Sequence, residues 1–291
     1  MCGIVGLHLR DPELYPRLGR LLEGMLCQVV ERGPDSAGVA VYGDRRRCPE
    51  GHAAVSVLSA DPERLRELFP DAVVTEAGDT TIVAAPTSAD DLVAAVRERV
   101  PGARIVGSGT DLTVYKGTGH PRELAATYDL AGAQGWQGLA HTRMATESAV
   151  TPEGAHPFSV GPDQCLVHNG SFANHATIRR ELRAEGVEFD SENDSEVGAR
   201  FVAQRLAQGE DLDKALRALC ERFDGFYTLL VTSADGFAVV RDAIACKPAI
   251  IAETPAWVAM ASEFRALAEL PGIETARIYE PEPERVYAWQ R

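Results

Sequence analysis

The sequence predicts an α+β protein built of packed sheets with helices laid against them, and three observations carry that prediction. Residues 14–30 place Leu14, Leu18, Leu21, Leu22, Met25, Leu26 and Val29 at spacings of three and four, the mark of an amphipathic helix. Residues 52–116 alternate strand, helix, strand, strand, helix, strand. From residue 138 onward short strands dominate, with three helices between them.

Taken in order, residues 1–9 read as a short buried strand, and the turn-rich loop 32–38 separates the first helix from a strand over 39–42. The next segment supplies strands over 54–58, 71–76, 80–85 and 103–108. Its helices span 61–68 and 88–100, the first opened by an Asp-Pro cap and N1 pair. That order is the split βαβ of ferredoxin-like modules, so 52–116 is expected to form a unit inserted into a domain spanning 1–291. Beyond it, strands are expected over 137–141, 164–168, 225–231, 236–241, 249–252 and 257–261, and helices over 176–185, 195–208 and 212–223. Ser233-Ala234-Asp235-Gly236 between two apolar runs signals a hairpin. Pro281-Glu282-Pro283-Glu284 reads as a stiff connector.

The formal net charge is −14 over 291 residues. A chain this acidic has no general attraction for phosphate backbones or anionic membranes, so no nucleic-acid or membrane partner is expected. No run of about 18 apolar residues appears, and the N-terminus lacks the basic start of a signal peptide. Six cysteines occur without any C-x-x-C, which suits neither a zinc site nor a disulfide framework. Free thiols in a reducing cytoplasm are the expectation, and no metal or cofactor is expected on this chain.

Four constellations carry chemistry. Cys2 follows the initiator Met1; removal of Met1 would leave one residue with both a thiol and a free α-amine. With pKa values of about 8.5 and about 7.7–8.0, the amine can serve the thiol as base. Arg143, at a strand end in His141-Thr142-Arg143-Met144-Ala145-Thr146, offers a planar fork for a small carboxylate, with a hydroxyl three residues on. In His168-Asn169-Gly170, a side-chain NH₂ beside a glycine N–H can converge on one oxygen, the requirement of an oxyanion hole; Asn-Gly is equally a common hairpin turn. Asp194, in Glu192-Asn193-Asp194-Ser195-Glu196, suits either a ligand ammonium or, like Ser195, a helix N-cap.

Together these pieces resemble the class II glutamine amidotransferases, which are N-terminal-nucleophile hydrolases. The resemblance rests on Cys2-Gly3-Ile4-Val5-Gly6, Arg32-Gly33 with Asp35-Ser36-Ala37-Gly38, His141-Thr142-Arg143 through Thr146, His156-Pro157, His168-Asn169-Gly170, Asp194 and Asp224-Gly225. It implies a four-layer αββα Ntn-hydrolase sandwich carrying the inserted ferredoxin-like βαββαβ unit. It implies glutamine hydrolysis through a glutamyl thioester on Cys2, with Asn169 and Gly170 as oxyanion hole. Arg143 and Thr146 would take the α-carboxylate and Asp194 the α-ammonium, with Arg32 and His168 also among the substrate-binding residues.

The sequence departs from the family pattern at Met144, where Trp is common, and at Glu147, where His is common. Both positions border the mouth of the glutamine pocket and bear on the route to the acceptor. Larger relatives carry a synthase part on the same chain. Here the amidotransferase pattern occupies most of the sequence, and Gly107-Ser108-Gly109 lacks the spacing and the Lys of a phosphate loop. The expectation is a separate synthase subunit, of glutamate-synthase or N-methylglutamate-synthase type, with flavin and iron–sulfur centres on partner chains and 52–116 as a docking or regulatory insertion. The alternatives are an amidotransferase for another acceptor, amidophosphoribosyltransferase-like, and a non-catalytic glutamine-sensing subunit. The intact Cys2, Arg143, Asn169 and Asp194 weigh against the last.

Overall fold

The computed structural model describes residues 2–144 and 150–291. Strand β1 (Gly3–Leu9) sets the architecture by simple alternation. Ile4 faces the apolar layer between two sheets, while Val5, Leu7 and Leu9 face the opposite side. Helix α1 (Leu18–Cys27) covers that opposite side with Leu18, Leu22, Met25 and Leu26. The helix expected from residue 14 begins only at Leu18: residues 12–17 form a 3₁₀ turn containing Pro16, which cannot donate the helical backbone bond.

Strand β2 (Ser36–Tyr42) leads into the segment expected to form a unit of its own: β3 (Ala53–Leu58), α2 (Pro62–Leu68), β4 (Val73–Ala77), β5 (Thr80–Ala85), α3 (Ala89–Arg99) and β6 (Arg104–Gly109). These strands make an antiparallel four-stranded sheet in the order β4-β5-β3-β6. Asp61 and Ser88 cap the two helices by accepting from Glu63 N and Asp91 N. Val55, Val57 and Val83 pack under Leu65, Leu92 and Val96 of those helices and under Phe69, which follows α2. The other face turns inward, with Ala54, Ile82 and Ala84 joining the main core.

The sheet of this unit ends at Gly109, and the expected boundary at 116 cuts through a strand of the main body. Strand β7 (Leu112–Thr118) pairs with β2, and Leu112 and Val114 enter the layer between the sheets. The unit is also tied to β7 by side chains: Ser56 Oγ accepts from Val114 N at 3.1 Å and Thr80 Oγ1 from Lys116 N at 3.1 Å.

The rest of the chain is α4 (Pro121–Thr127), β8 (Gln137–Arg143), β9 (Cys165–Phe172), α5 (His175–Ala184), α6 (Asp194–Ala207) and α7 (Leu212–Arg222). Then come β10 (Gly225–Thr232), β11 (Gly236–Arg241), β12 (Ile250–Glu253), β13 (Trp257–Ala261), β14 (Arg277–Tyr279) and β15 (Tyr287–Gln290). A seven-stranded sheet runs β14-β12-β13-β1-β8-β2-β7 and a four-stranded sheet runs β15-β11-β10-β9. Their inner faces meet through Ile4, Leu139 and Met260 on one side and Val167, Leu230 and Phe237 on the other. With α1 and α4 outside the large sheet and α5, α6 and α7 outside the small one, the four layers are αββα. The connector at 281–284 leads into β15, an edge strand the sequence reading did not foresee. Among the described residues no helix is long and apolar enough to cross a membrane.

Candidate active site

The start of β1 is held from three sides. Gly3 N donates to Thr142 Oγ1 at 3.1 Å, and that hydroxyl donates to Val29 O at 3.2 Å. Ile4 N donates to Ser262 Oγ at 2.9 Å. The carbonyl oxygen of Cys2 accepts from Arg32 Nε at 3.0 Å and from Asn169 Nδ2 at 2.9 Å. The half-buried Cys2 side chain is thereby fixed where β1, β8 and β9 converge.

Burial alone would push the Cys2 thiol up. The His141 imidazole, by hydrogen bond and charge, and the Met144 backbone N–H reverse this and bring it down to about 6. A thiol in that range is largely thiolate at neutral pH, the reactive form. The other buried thiols go the opposite way: burial pushes Cys48 up to about 11 and Cys165 up to about 12.

Strand β9 does not stop at His168, and Asn169-Gly170 is not a hairpin turn. The pair lies within the ladder, opposite Thr228 and Tyr227 of β10. Gly170 has φ +134, and a Cβ there would come within 1.9 Å of the Phe226 carbonyl oxygen, so only glycine fits. Asn169 bridges two site residues: Nδ2 reaches Cys2 O, and Oδ1 lies 3.2 Å from His141 Nε2.

Arg143 ends β8, half-buried. The loop after Arg32 lies flat on its backbone: Asp35 N donates to Arg143 O at 3.2 Å, and a Cβ on Gly33 would sit 2.5 Å from the Arg143 backbone. This accounts for the Arg-Gly pair in the sequence. Arg32 itself, expected to bind substrate, places Nε on Cys2 O and Nη1 on Glu263 Oε1 at 2.9 Å. Its geometry is that of a residue positioning the strand start. Thr146 and Glu147 lie outside the described residues, as does Met1.

Asp194 opens α6, but Asn193 is the cap, its side chain accepting from Ser195 N at 2.8 Å. The cap expected of Asp194 or Ser195 thus falls to Asn193, one residue before Asp194 and two before Ser195. Asp194 Oδ2 accepts from Phe172 N at 2.8 Å, which orients the carboxylate. His168, expected at the substrate, is 3% exposed and stacked on Phe172. Its Nδ1 lies 2.9 Å from Ser195 Oγ, and His156 Nε2 lies 3.0 Å from the same oxygen. His168 Nδ1 also lies 4.0 Å from Asp194 Oδ2, so the buried ring stands beside that carboxylate. Burial drives the His156 pKa well below the ordinary histidine value and that of His168 down to about 4, although Asp194 opposes the latter shift. Both rings are neutral.

Sequence reasoning assigned no role to His141 or His156, and to Ser195 only that of a helix cap. His141 and His156 lie with ring centres 4.2 Å apart, and Ser195 joins His156 to His168. A signal existed in the concentration of histidines in the motif segments, but pairing between segments is set by the fold. The arrangement offers a thiolate, a side-chain amide beside it, a guanidinium and an oriented carboxylate. Among the described residues no cluster suited to a metal ion occurs.

Comparison with known proteins is consistent with this chemistry. Residues 141–269 match the family model described as a glutamine amidotransferase domain. The chain is 48% identical over 298 residues to the glutamine amidotransferase-like protein GlxB of Rhizobium meliloti, covering 99% of this chain and 98% of that protein. It is 37% identical over 144 residues to a glutamine–fructose-6-phosphate aminotransferase of Mycolicibacterium smegmatis, covering 46% of this chain and 23% of that one. Among solved structures, the glutamine phosphoribosylpyrophosphate amidotransferase of Bacillus subtilis superposes with a TM-score of 0.63 at 17% identity, over 99% of this chain and 49% of that chain, a likeness of fold.

Proposed function

The chain belongs to the class II glutamine amidotransferase family, and from that membership we propose that it hydrolyses glutamine through a thioester on Cys2 and delivers the ammonia to a separate synthase subunit. In this reading Cys2 Sγ attacks the side-chain amide carbon of glutamine. Asn169 Nδ2 and Gly170 N–H receive the negative charge that develops on the amide oxygen. The C–N bond breaks, the nitrogen takes up a proton and leaves as ammonia, and water then cleaves the glutamyl thioester to glutamate and free thiol. The Cys2 α-amine, exposed by loss of Met1, carries protons between these steps. Arg143 with Thr146 binds the α-carboxylate, and Asp194 binds the α-ammonium.

The observation that carries the reading is the Asn169 amide 2.9 Å from the Cys2 carbonyl, a side-chain N–H donor beside a thiol already brought down to about 6. Delivery to a partner is supported by two exposed apolar side chains next to the site. Met144 is 37% exposed and its backbone N–H serves the thiol; Phe226 is 40% exposed and its carbonyl abuts Gly170. A synthase of glutamate-synthase or N-methylglutamate-synthase type, bearing flavin and iron–sulfur centres, is the partner we propose. The 53–109 unit, which holds none of these site residues, is read as an insertion in the amidotransferase domain.

The test is glutamine hydrolysis by the purified chain, with intact-mass analysis and labelling by a diazoketone analogue of glutamine. Loss of Met1, label on Cys2 alone and an inactive but folded Cys2→Ala are expected. Label on Cys27 or Cys165 with Cys2 untouched overturns the mechanism. Co-purification from the native source, read by the flavin and iron–sulfur absorption of what comes down, tests the partner.

A further inference from the structure

A cavity of about 350 Å³ lies at the seam between the inserted unit and the sandwich, a size ordinary for small-molecule sites. Arg97 and Ile105 line it from the unit, Lys116 from β7, Phe158 from the segment before β9, and Glu196 from α6. None of these residues has a part in the proposed glutamine chemistry.

Lys116 is the anomaly. The residue is 2% exposed, and its ammonium lies 4.7 Å from the centre of the Phe158 ring. Among the described residues that ammonium makes no hydrogen bond and no ion pair. Burial lowers its pKa to about 8, so most of it is still charged at pH 7. A buried cation without a partner is costly, and a methionine would fill the same space without that cost.

Glu196 and Glu153 favour the charge from a distance, but neither bonds the ammonium, because each is bonded elsewhere. Glu153 pairs with Arg104 at 2.7 Å. Glu196 accepts from Asp190 N, Ser191 N and Ser191 Oγ and pairs with Arg200 at 3.1 Å, and Asp190 pairs with the same Arg200 at 2.7 Å. Arg97, exposed at the rim, has no ion-pair partner among the described residues. Among the described residues the space therefore holds two cations, Lys116 and Arg97, without a bonded anion, beside the apolar walls of Ile105, Val106, Phe158 and Val160.

We propose that this cavity binds a small organic monocarboxylate, its anionic head on Lys116 with Arg97 at the rim and its apolar body against Phe158 and Ile105. A single negative charge balances Lys116. A dianion such as phosphate would meet Glu153, Asp190 and Glu196 around the same space. The site stands apart from the glutamine chemistry, yet it adjoins it: Phe158 packs edge-on to His156 with ring centres 5.0 Å apart, and Glu196 follows Ser195 in α6.

The experiment uses the intact chain, with benzoate, 3-phenylpropionate and pyruvate as probes and inorganic phosphate as the contrast. Acetylation of Lys116 by acetic anhydride is followed by peptide mass, alongside Tm. At ten times its dissociation constant a bound carboxylate should slow Lys116 acetylation about tenfold, because only empty cavities react. It should also raise Tm, and phosphate should do neither. Lys116→Met should lose the Tm response while being at least as stable as the natural chain without ligand. If Lys116→Met fails to fold, Arg97→Gln should weaken both responses instead. No protection and no Tm shift from any of the three carboxylates at millimolar concentration overturns the site. So does a Tm response that survives Lys116→Met. Equal protection by phosphate overturns the choice of a monocarboxylate.

Discussion

Asn169 Nδ2 lies 2.9 Å from the carbonyl oxygen of Cys2, so the strand that carries Cys2 and the strand that carries Asn169, the proposed oxyanion donor, are joined at that residue. In the proposed mechanism the second N–H of the same amide serves the substrate oxygen. Asn169→Ala should lower kcat by about 10²–10³ with KM within a few-fold, because the donor acts on charge present only in the transition state. Steady-state glutamine hydrolysis decides this. A raised KM with kcat intact would make Asn169 a ground-state binding residue.

The thiol gives a pH signature. With Cys2 at about 6, lowered by His141 and Met144 against the effect of burial, its thiolate is lost only as pH falls below that value. Iodoacetamide labelling of Cys2, resolved by peptide mass, should rise with pH to a midpoint near 6 and then level off. His141→Ala should move the midpoint up toward the ordinary thiol value of about 8.5. A natural-chain midpoint already at that value, or one unmoved by His141→Ala, would remove His141 from the account. Cys48 and Cys165, both pushed up by burial, should stay unlabelled across the range.

What could be read from the sequence divides along a physical line. Alternation and helical spacing are local, so β5, β13 and the helices of the inserted unit were legible almost to the residue. Strand β7 was not, because only one short turn separates it from β6 and its alternation looked like the tail of the inserted unit. The pairing of Leu112–Thr118 with β2 is a contact between distant segments. The same holds at the site. Cys2, Arg143, Asn169 and Asp194 each carry a side chain whose chemistry is visible alone. The placement of Arg32 on Cys2 O and Glu263, and of His168 on Ser195, depends on which elements the fold brings together. Lys116 shows no motif at all; its interest lies in being buried with no hydrogen bond or ion pair to its ammonium among the described residues.

The neutral histidines behind Asp194 predict acid sensitivity. An unfolded histidine titrates near 6.5, whereas burial holds His168 at about 4 and His156 well below its usual value. Between about 6.5 and about 4 the unfolded chain binds protons that the folded chain refuses, so stability falls as pH drops through that window. Tm measured from pH 7.5 down to pH 5 should therefore decline. His168→Phe, which keeps the stack on Phe172, should be less stable at pH 7.5 yet lose less on acidification. A Tm that is flat over this range would mean that the folded protein accepts those protons, and the buried neutral cluster would have to be abandoned.

Arg143 tests the substrate assignment itself. It stands at the end of β8 with its backbone clamped by Asp35 N and the Gly33 loop, and a Cβ on Gly154 would come within 3.0 Å of its Nη1. Replacement by lysine keeps the positive charge but loses the planar fork, and with it one charge-assisted hydrogen bond to a carboxylate. Such a bond is worth about 1.5–3 kcal/mol, or roughly 10- to 100-fold in binding. If Arg143 holds the glutamine α-carboxylate in ground state and transition state alike, the loss belongs in KM. Arg143→Lys should then raise KM for glutamine by that factor and leave kcat within a few-fold. The label on Cys2 from a small neutral alkylator, which has no carboxylate to hold, should be unchanged. The same variant should no longer distinguish glutamine from its α-carboxamide derivative as sharply as the natural chain does. A fall in kcat at constant KM, or equal loss of the neutral alkylation, would place Arg143 in the support of Cys2 and leave the α-carboxylate without its proposed partner.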